Sequence, residues 1–174
     1  MCFCGCSNLT ELSLPSTLTT LRNESLWRIG VKELSIPATV TKVDGHFYGG
    51  AAKAILVDPE NPSFTSVDGV LFSKDLRTLV AFPEEKDTSY SIPEGTESIR
   101  EHAFAYNFKL RTLTIPTSVK KIGSYAFVLN DGSTASLKTV YYQGTEEQWK
   151  KISISSDNKA LLSANIQFQQ KAEG

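Results

Sequence analysis

A short motif that recurs along the chain constrains its fold more than any other feature. The motif is an apolar, a polar and an apolar residue followed by proline, and its copies are Leu12–Pro15, Leu34–Pro37, Tyr90–Pro93 and Leu113–Pro116. The first two prolines lie 22 residues apart and the last two 23 residues apart. A period of roughly 20–30 residues with one short strand per period is typical of a solenoid, in which successive coils stack.

Each copy predicts a strand with one face in the core. Strand side chains alternate, so the first and third residues point inward, and proline ends the strand because it has no N–H to donate. After each proline, an apolar residue is followed five positions later by an aromatic or other large residue. These pairs mark the segment that brings the chain back over the core: Leu21/Leu26, Val43/Tyr48, Ile99/Phe104 and Ile122/Phe127. We expect one parallel sheet, with one strand per coil of 22–23 residues and short helical or turn-like return segments.

Three further units depart from the motif, and one is long. Degenerate strands are predicted at Ile55–Val57, Val140–Tyr142 and Ile166–Phe168. Between residues 57 and 90 the extra sequence reads as two apolar strands on either side of Ser73–Asp75. We therefore predict a β-hairpin insertion at about 64–83 that projects from the array.

The repeat closely resembles the BspA-like leucine-rich repeat of bacterial surface proteins. The positions that carry the match in one unit are Leu110, Leu113, Ile115, Pro116, Val119, Ile122, Gly123, Ala126 and Phe127. The hairpin Val67–Asp75 and the closing Gly144–Trp149 are also similar to segments of that family. The resemblance implies a leucine-rich-repeat solenoid, a role in protein interaction, and a location at the cell surface or outside the cell. Asn107, in a cysteine slot, departs from the family pattern, as do Arg100 and Asp44 in glycine slots.

The alignment also predicts how the array begins. Phe3 precedes Cys6 by three residues, as Phe104 precedes Asn107. This predicts an array over 1–142 that starts in the middle of a repeat. A poorly covered first coil would favour end-to-end self-association through its three inward leucines, Leu9, Leu12 and Leu14.

A capping segment is predicted at 143–174. Thr145 and Gln148 have the spacing of a capping box, which opens a short helix. The apolar residues after it are expected to cover the end of the core: Trp149, Ile152, Leu161 and Leu162.

The charge balance excludes two classes of partner. The 18 Lys and Arg residues nearly cancel 19 Asp and Glu residues, for a net charge of −1. That leaves no basic field for a nucleic-acid backbone or an anionic bilayer. The chain also lacks a run of about 18 apolar residues that would insert in a membrane. We therefore expect neither nucleic acid nor membrane insertion.

The sequence offers little catalytic chemistry. Cys2, Cys4 and Cys6 lack the spacing of zinc ligands, and we expect them to pack in a terminal turn. His46 and His102 occupy equivalent positions with one coil between them, which predicts a separation of about 10 Å, too far for a dyad or a shared metal. The prediction is a non-enzymatic chain without a cofactor, and a thiol- or metal-dependent activity is the least favoured alternative.

The outward residue at the centre of each strand forms the predicted interaction face. Its members are Ser13, Ser35, Leu56, Ser91, Thr114 and Tyr141. By resemblance, this face would contact a protein or glycoprotein surface, on host matrix or another cell, and serve adhesion. The alternative is a structural spacer with no ligand of its own, because Ser and Thr are also ordinary exposed strand residues.

Overall fold

The computed structural model describes residues 4–128 and 136–169, which form a solenoid of about six coils. The predicted leucine-rich-repeat solenoid is confirmed. Its strands are β1 Thr20–Leu21, β2 Leu26–Ile29, β3 Glu33–Ile36, β4 Lys42–Val43, β5 Tyr48–Gly50, β6 Ala54–Val57, β7 Phe64–Val67, β8 Val70–Ser73, β9 Thr78–Ala81, β10 Ser89–Ser91, β11 Ser98–Ile99, β12 Thr112–Ile115, β13 Lys121–Ile122, β14 Thr139–Tyr142, β15 Ser153–Ile154 and β16 Asn165–Phe168. The helices are α1 Glu146–Trp149 and α2 Lys159–Leu162.

The motif strands do not form one sheet. β3 and β6 make a separate parallel pair, and β10, β12, β14 and β16 make a four-stranded parallel sheet. The second side of the solenoid carries a sheet in the order β15-β13-β11-β9-β8-β7, and two more parallel pairs are β1–β4 and β2–β5. The prediction of a single sheet is therefore wrong. The insertion separates β6 from β10, because Ile55 donates its N–H to Gly69 of the insertion at 2.8 Å.

The alternation of the motif is confirmed where the strands form. Leu34, Leu113 and Ile115 are 0% exposed, while the intervening Ser35 is exposed. On the return side, Phe104 stacks on Phe127 with ring centroids 4.8 Å apart. In the second coil the buried aromatic residue is Phe47, one position before the predicted Tyr48, whose side chain lies outside the described part of the structure.

The insertion is a three-stranded meander that lies inside the core. β7 and β9 both pair antiparallel with β8, and β9 continues parallel to β11. Phe72 and Leu79 pack in the C-terminal hydrophobic cluster, whereas Leu71 and Val80 pack in the N-terminal one. The prediction that this segment projects from the array is wrong. Alternate side chains of β8 and β9 face two different clusters, so both faces are covered and the meander is the wall between them.

Three buried asparagines join neighbouring coils through side-chain hydrogen bonds to the backbone. Asn61, Asn107 and Asn158 are 0%, 5% and 1% exposed. The Asn107 amide donates to the carbonyls of Pro83 and Glu84, both at 3.2 Å, and its oxygen accepts the N–H groups of Lys109 and Leu110. Asn107 therefore occupies a structural slot and ties two coils together.

The first coil is less regular than the others. Residues 11–15 form no strand, and Leu9, Leu12 and Leu14 are only partly buried against the N-terminal cluster. Cys4 and Cys6 are exposed free thiols, so the expected packing of these two cysteines is wrong. Cys2 and Phe3 lie outside the described residues.

The capping segment shares the core of the array. The capping box is confirmed, because Gln148 N–H donates to Thr145 Oγ1 and the Gln148 side chain accepts the Thr145 N–H. Trp149 and Leu161 belong to the same cluster as the β12 and β14 side chains. Leu162, by contrast, is 56% exposed, because a helical neighbour of the inward Leu161 points about 100° away from it. The boundary between array and cap at 142/143 stays a prediction.

Candidate interaction face

The structure arranges the six predicted face residues in two columns. Ser35 pairs with Leu56 in one sheet, and Ser91, Thr114 and Tyr141 lie in register in the other. Ser13 lies in the first coil, beside the β3–β6 pair. The two columns are separated because the meander, β7–β9, lies between β6 and β10 in the chain and these two strands do not pair. We call the six residues the sheet-face columns.

Each column has one large, exposed side chain among hydroxyl groups. Leu56 is 42% exposed and Tyr141 is 44% exposed. Ser13, Ser35 and Ser91 are exposed as well, and Thr114 is half-buried. Tyr141 is of a residue type enriched at the energetic centres of protein interfaces, whereas Leu56 offers only exposed apolar surface.

The N-terminal column lies along a groove. Its volume is about 450 Å³, and the lining residues are Leu12, Ser13, Leu14, Ser35, Ile36, Pro37, Leu56, Val57 and Asp58. A second groove of about 590 Å³ adjoins it and shares Leu12 and Ser35. The two grooves follow the boundary between the first coil and β3.

The two histidines lie much closer together than predicted. The ring centroids of His46 and His102 are 6.2 Å apart, and Tyr106 lies 5.1 Å from His46. The coil between the two histidines contains the meander, and the chain continues from β9 through Pro83 and Glu84. This coil therefore places no ordinary return turn between the two rings. The expected separation of about 10 Å is therefore wrong.

Sequence reasoning missed Glu84, which lies beside these rings. Its Oε2 accepts the Gly50 N–H at 2.8 Å, and its Oε1 lies 3.6 Å from His46 Nε2. Burial raises the pKa of Glu84 to about 7, against the hydrogen bond from Gly50. Burial, with a smaller effect of His102, lowers the pKa of His46 to about 3. His46 is therefore neutral at pH 7, and the contact is not a full ion pair.

The arrangement does not create a metal centre. In residues 4–128 and 136–169, no group of three or more His, Cys, Asp or Glu side chains is placed to hold a metal ion. No helix within the same ranges is both long and apolar enough to cross a bilayer.

We predict that the combined contribution of Glu84 and His46 to the unfolding free energy is level between pH 4.5 and 6.5, whereas the lowered pKa of His102 makes total stability fall as the pH drops below 6.5. The raised pKa of Glu84 adds stability below 4.5 that is lost as pH rises through about 7. The lowered pKa of His46 adds stability above 6.5 that is lost as pH falls towards about 3. Between pH 4.5 and 6.5 the two pH dependences cancel. The folded chain holds one proton on Glu84 and none on His46, and the unfolded chain holds one on His46 and none on Glu84.

Urea unfolding at several pH values checks this linkage, with Glu84→Gln as the key variant. The variant keeps an amide in place of the carboxyl, so its stability relative to the native chain should rise by about 2–3 kcal/mol from pH 4.5 to 7.5. Glu94→Gln, at an exposed carboxylate on the turn after β10, is the matched control, because Glu94 is not among the causes of the Glu84 shift. Parallel pH profiles for Glu84→Gln and the native chain would contradict the argument.

Comparisons with known proteins agree with the repeat geometry. The model of the BspA type leucine-rich repeat region matches six copies, over residues 1–74 and 79–162. No curated protein matches the chain.

Solved structures of bacterial leucine-rich-repeat proteins share the fold. The pneumococcal vaccine antigen PcpA is 30% identical over 72% of this chain and 33% of its own, with a TM-score of 0.59. A leucine-rich repeat protein from Eubacterium ventriosum is 22% identical, covers 78% of this chain and 42% of its own, and has a TM-score of 0.61. A leucine-rich cell surface protein from Faecalibacterium prausnitzii is 20% identical, with coverages of 83% and 56% and a TM-score of 0.59.

This chain thus spans between 33% and 56% of those solved chains. Six matched copies, which together cover most of its residues, decide the family. The chain belongs to the BspA type leucine-rich-repeat family, whose members are in general non-enzymatic repeat scaffolds.

Proposed function

We propose that the chain is a protein-interaction module of a bacterial secreted or cell-surface protein, and that it serves adhesion to host matrix or to another cell. The observation that carries the proposal is the pair of sheet-face columns, each with one exposed large side chain among hydroxyl groups. Two of the similar structures, a vaccine antigen and a cell surface protein, support the location.

The mechanism is polyvalent contact along a rigid face. The strands are fixed by parallel ladders, so binding orders little of the chain and loses little entropy. Tyr141 and Leu56 would enter apolar depressions of the partner, and the surrounding Ser and Thr hydroxyls would exchange hydrogen bonds with its polar groups. No cofactor takes part.

Binding to immobilised matrix and mucin components tests the proposal. Tyr141→Ser should weaken saturable binding about tenfold, because it removes the aromatic anchor of its column. Tyr125→Ser is the matched control, since Tyr125 is 42% exposed but lies on a return turn, away from the columns. A second pair compares Leu56→Ser with Leu76→Ser, at side chains 42% and 46% exposed.

Equal effects of the face and control variants would contradict the proposal. Saturable binding that none of the four variants changes would place the contact elsewhere. No saturable binding to any component would instead favour the spacer.

We also propose that two copies associate end to end through the first coil. The partial burial of Leu9, Leu12 and Leu14 supports this contact. Leu12→Ser should shift sedimentation velocity profiles of a concentrated solution towards the monomer, whereas a native chain that is already monomeric would count against association.

A further inference from the structure

The outward face of the four-stranded sheet carries two rows of polar side chains. More and less exposed positions alternate along β10, β12, β14 and β16, and the register sets the outward residues of the four strands side by side. We call these eight residues the polar rows. The first row is Ser89, Thr112, Thr139 and Asn165, and the second row is Ser91, Thr114, Tyr141 and Gln167.

The polar rows are neutral. None of the eight side chains is charged, although Asp, Glu, Lys and Arg make up 21% of the chain. The other sheet-face column differs, because Glu33 lies beside Ala54 at the equivalent positions of the β3–β6 pair. A charged group that docked on the polar rows would lose its hydration without gaining an opposite charge, so the surface favours a neutral ligand.

The hydrogen-bonding capacity of the polar rows is not used within the protein. In residues 4–128 and 136–169, none of the eight side chains forms a hydrogen bond with another protein group. On the second side of the solenoid, by contrast, the hydroxyls of Thr78 and Ser98 bond to each other at 3.0 Å. The hydroxyls of the polar rows can each donate and accept, and the two amides do the same with separate atoms.

Tyr141 gives the polar rows one flat apolar surface. Its side chain is 44% exposed, and it is the one tyrosine among those with described side chains whose ring touches no other ring. The other ring pairs are Tyr90–Phe82, Tyr106–Trp27, Tyr125–His102 and Tyr142–Trp149. The ring of Tyr141 is therefore available to a ligand.

The sheet leaves only side chains for such a ligand. β12 and β14 pair on both edges, so their backbone N–H and C=O groups are bonded within the sheet. A partner at the polar rows cannot add a strand between them. It must bind through the hydroxyls, the amides and the ring of Tyr141.

This combination matches the chemistry of a neutral saccharide. Each sugar hydroxyl both donates and accepts, as the hydroxyls of the polar rows do. The C–H groups on one face of a pyranose ring are slightly positive and pack on the negative face of an aromatic ring. Neighbouring strands lie about 4.8 Å apart, so a sugar on Tyr141 is within reach of Thr114 and Gln167 on the adjoining strands.

We propose that the polar rows bind a neutral glycan, with one pyranose ring stacked on Tyr141 and its hydroxyls bonded to the Ser, Thr, Asn and Gln side chains around it. This inference rests on the proposed function and deepens it. The glycan is the part of a glycoprotein partner that the C-terminal sheet-face column contacts, and the apolar surface that Tyr141 meets is the C–H face of the sugar.

A glycan microarray that carries neutral and acidic oligosaccharides, probed with the whole chain, tests the inference. Saturable binding is expected on neutral glycans. For the neutral glycan bound most tightly, Tyr141→Ser should weaken binding by about tenfold, whereas Tyr141→Phe keeps the ring and should weaken it by less than about threefold. Tyr125→Ser is the matched control and should leave binding unchanged, because Tyr125 stacks on His102 away from the sheet face.

A second pair of variants tests the hydroxyls. Thr114→Val keeps the shape of the side chain and removes one hydroxyl, so binding to the same glycan should weaken by about two- to fivefold. Thr20→Val is its control, at a half-buried threonine of β1 that lies outside the polar rows.

Periodate treatment of mucin separates recognition of sugar from recognition of protein. Mild periodate opens pyranose rings between vicinal hydroxyls and so removes the flat face that Tyr141 would meet. Binding of the native chain to immobilised mucin should fall by about tenfold after this treatment, to the level of Tyr141→Ser on untreated mucin.

Several results would overturn the inference. They are no saturable binding to any neutral glycan, neutral-glycan binding that Tyr141→Ser leaves unchanged, and saturable binding confined to acidic glycans, which would assign recognition to charged residues outside the polar rows.

The two proposals fail separately. If the native chain binds periodate-treated mucin as well as untreated mucin, and Tyr141→Ser weakens both, the face binds protein and the glycan inference alone fails. If neutral glycans bind in a Tyr141-dependent manner but no matrix or mucin component is bound, the proposed adhesion alone fails.

Discussion

Replacing Phe72 by alanine should lower the unfolding free energy by about 3–5 kcal/mol. Phe72 is 0% exposed and lies in β8, the central strand of the meander. It packs in the C-terminal cluster with Leu79, Ile99 and Ile122. Alanine would remove the apolar contacts of the ring and leave a cavity that the ladders on both sides of β8 prevent from closing.

Urea unfolding measures this loss, and two further variants show its origin. Leu71→Ala should cost about 2–5 kcal/mol, although Leu71 faces the N-terminal cluster. Leu76→Ala, at the exposed turn between β8 and β9, should change stability by less than about 0.5 kcal/mol. If Phe72→Ala resembled Leu76→Ala, the meander would not be a core element.

Because the meander contributes side chains to both hydrophobic clusters, we also expect the stabilities of the two clusters to be coupled. Stacked repeats are stabilised largely by contacts with their neighbours, so loosening β8 weakens both sides. In hydrogen exchange, Phe72→Ala should therefore increase opening in β6 as well as in β12. An increase confined to β12 would show that the two clusters unfold independently.

The sequence predicted the regular coils well and the insertion only in part. Leu34 and Ile115 recur at fixed spacings because each coil buries the same positions, so periodicity is enough to find them. The two strands of the hairpin were also predicted. Their burial was missed, although the continuous apolar run Val70–Phe72 carried a signal, since an unbroken run is typical of a strand covered on both faces.

The cluster around Glu84 was beyond sequence reasoning. Glu84 stands in the polar run Pro83–Lys86, which by composition indicates a solvated turn. Its burial depends on the path by which the chain leaves the meander. In the same way, five of the six predicted face residues lie at outward positions of strands, whereas Ser13 lies in a segment without a strand. The division into two columns depends on where the meander packs.

Replacing Asn107 by alanine should lower the unfolding free energy by about 2–4 kcal/mol. Its amide satisfies the carbonyls of Pro83 and Glu84 and the N–H groups of Lys109 and Leu110. Each buried polar group that loses its partner costs about 1–3 kcal/mol, and water cannot reach all four in a core that closes around the smaller side chain. Urea unfolding checks the loss, with Asn165→Ala at an exposed asparagine as the control.

Asn107→Asp separates the donor role from the acceptor role. Aspartate keeps the oxygen that accepts from Lys109 and Leu110, but its second oxygen faces the carbonyls of Pro83 and Glu84 without a proton to donate. At pH 7 this variant should be at least as unstable as Asn107→Ala, because it also buries a charge. Acidification returns a donor to the carboxyl, so stability should recover relative to Asn107→Ala as the pH falls towards 4. A stability difference between the two variants that does not change with pH would show that the amide donor does not fasten these coils.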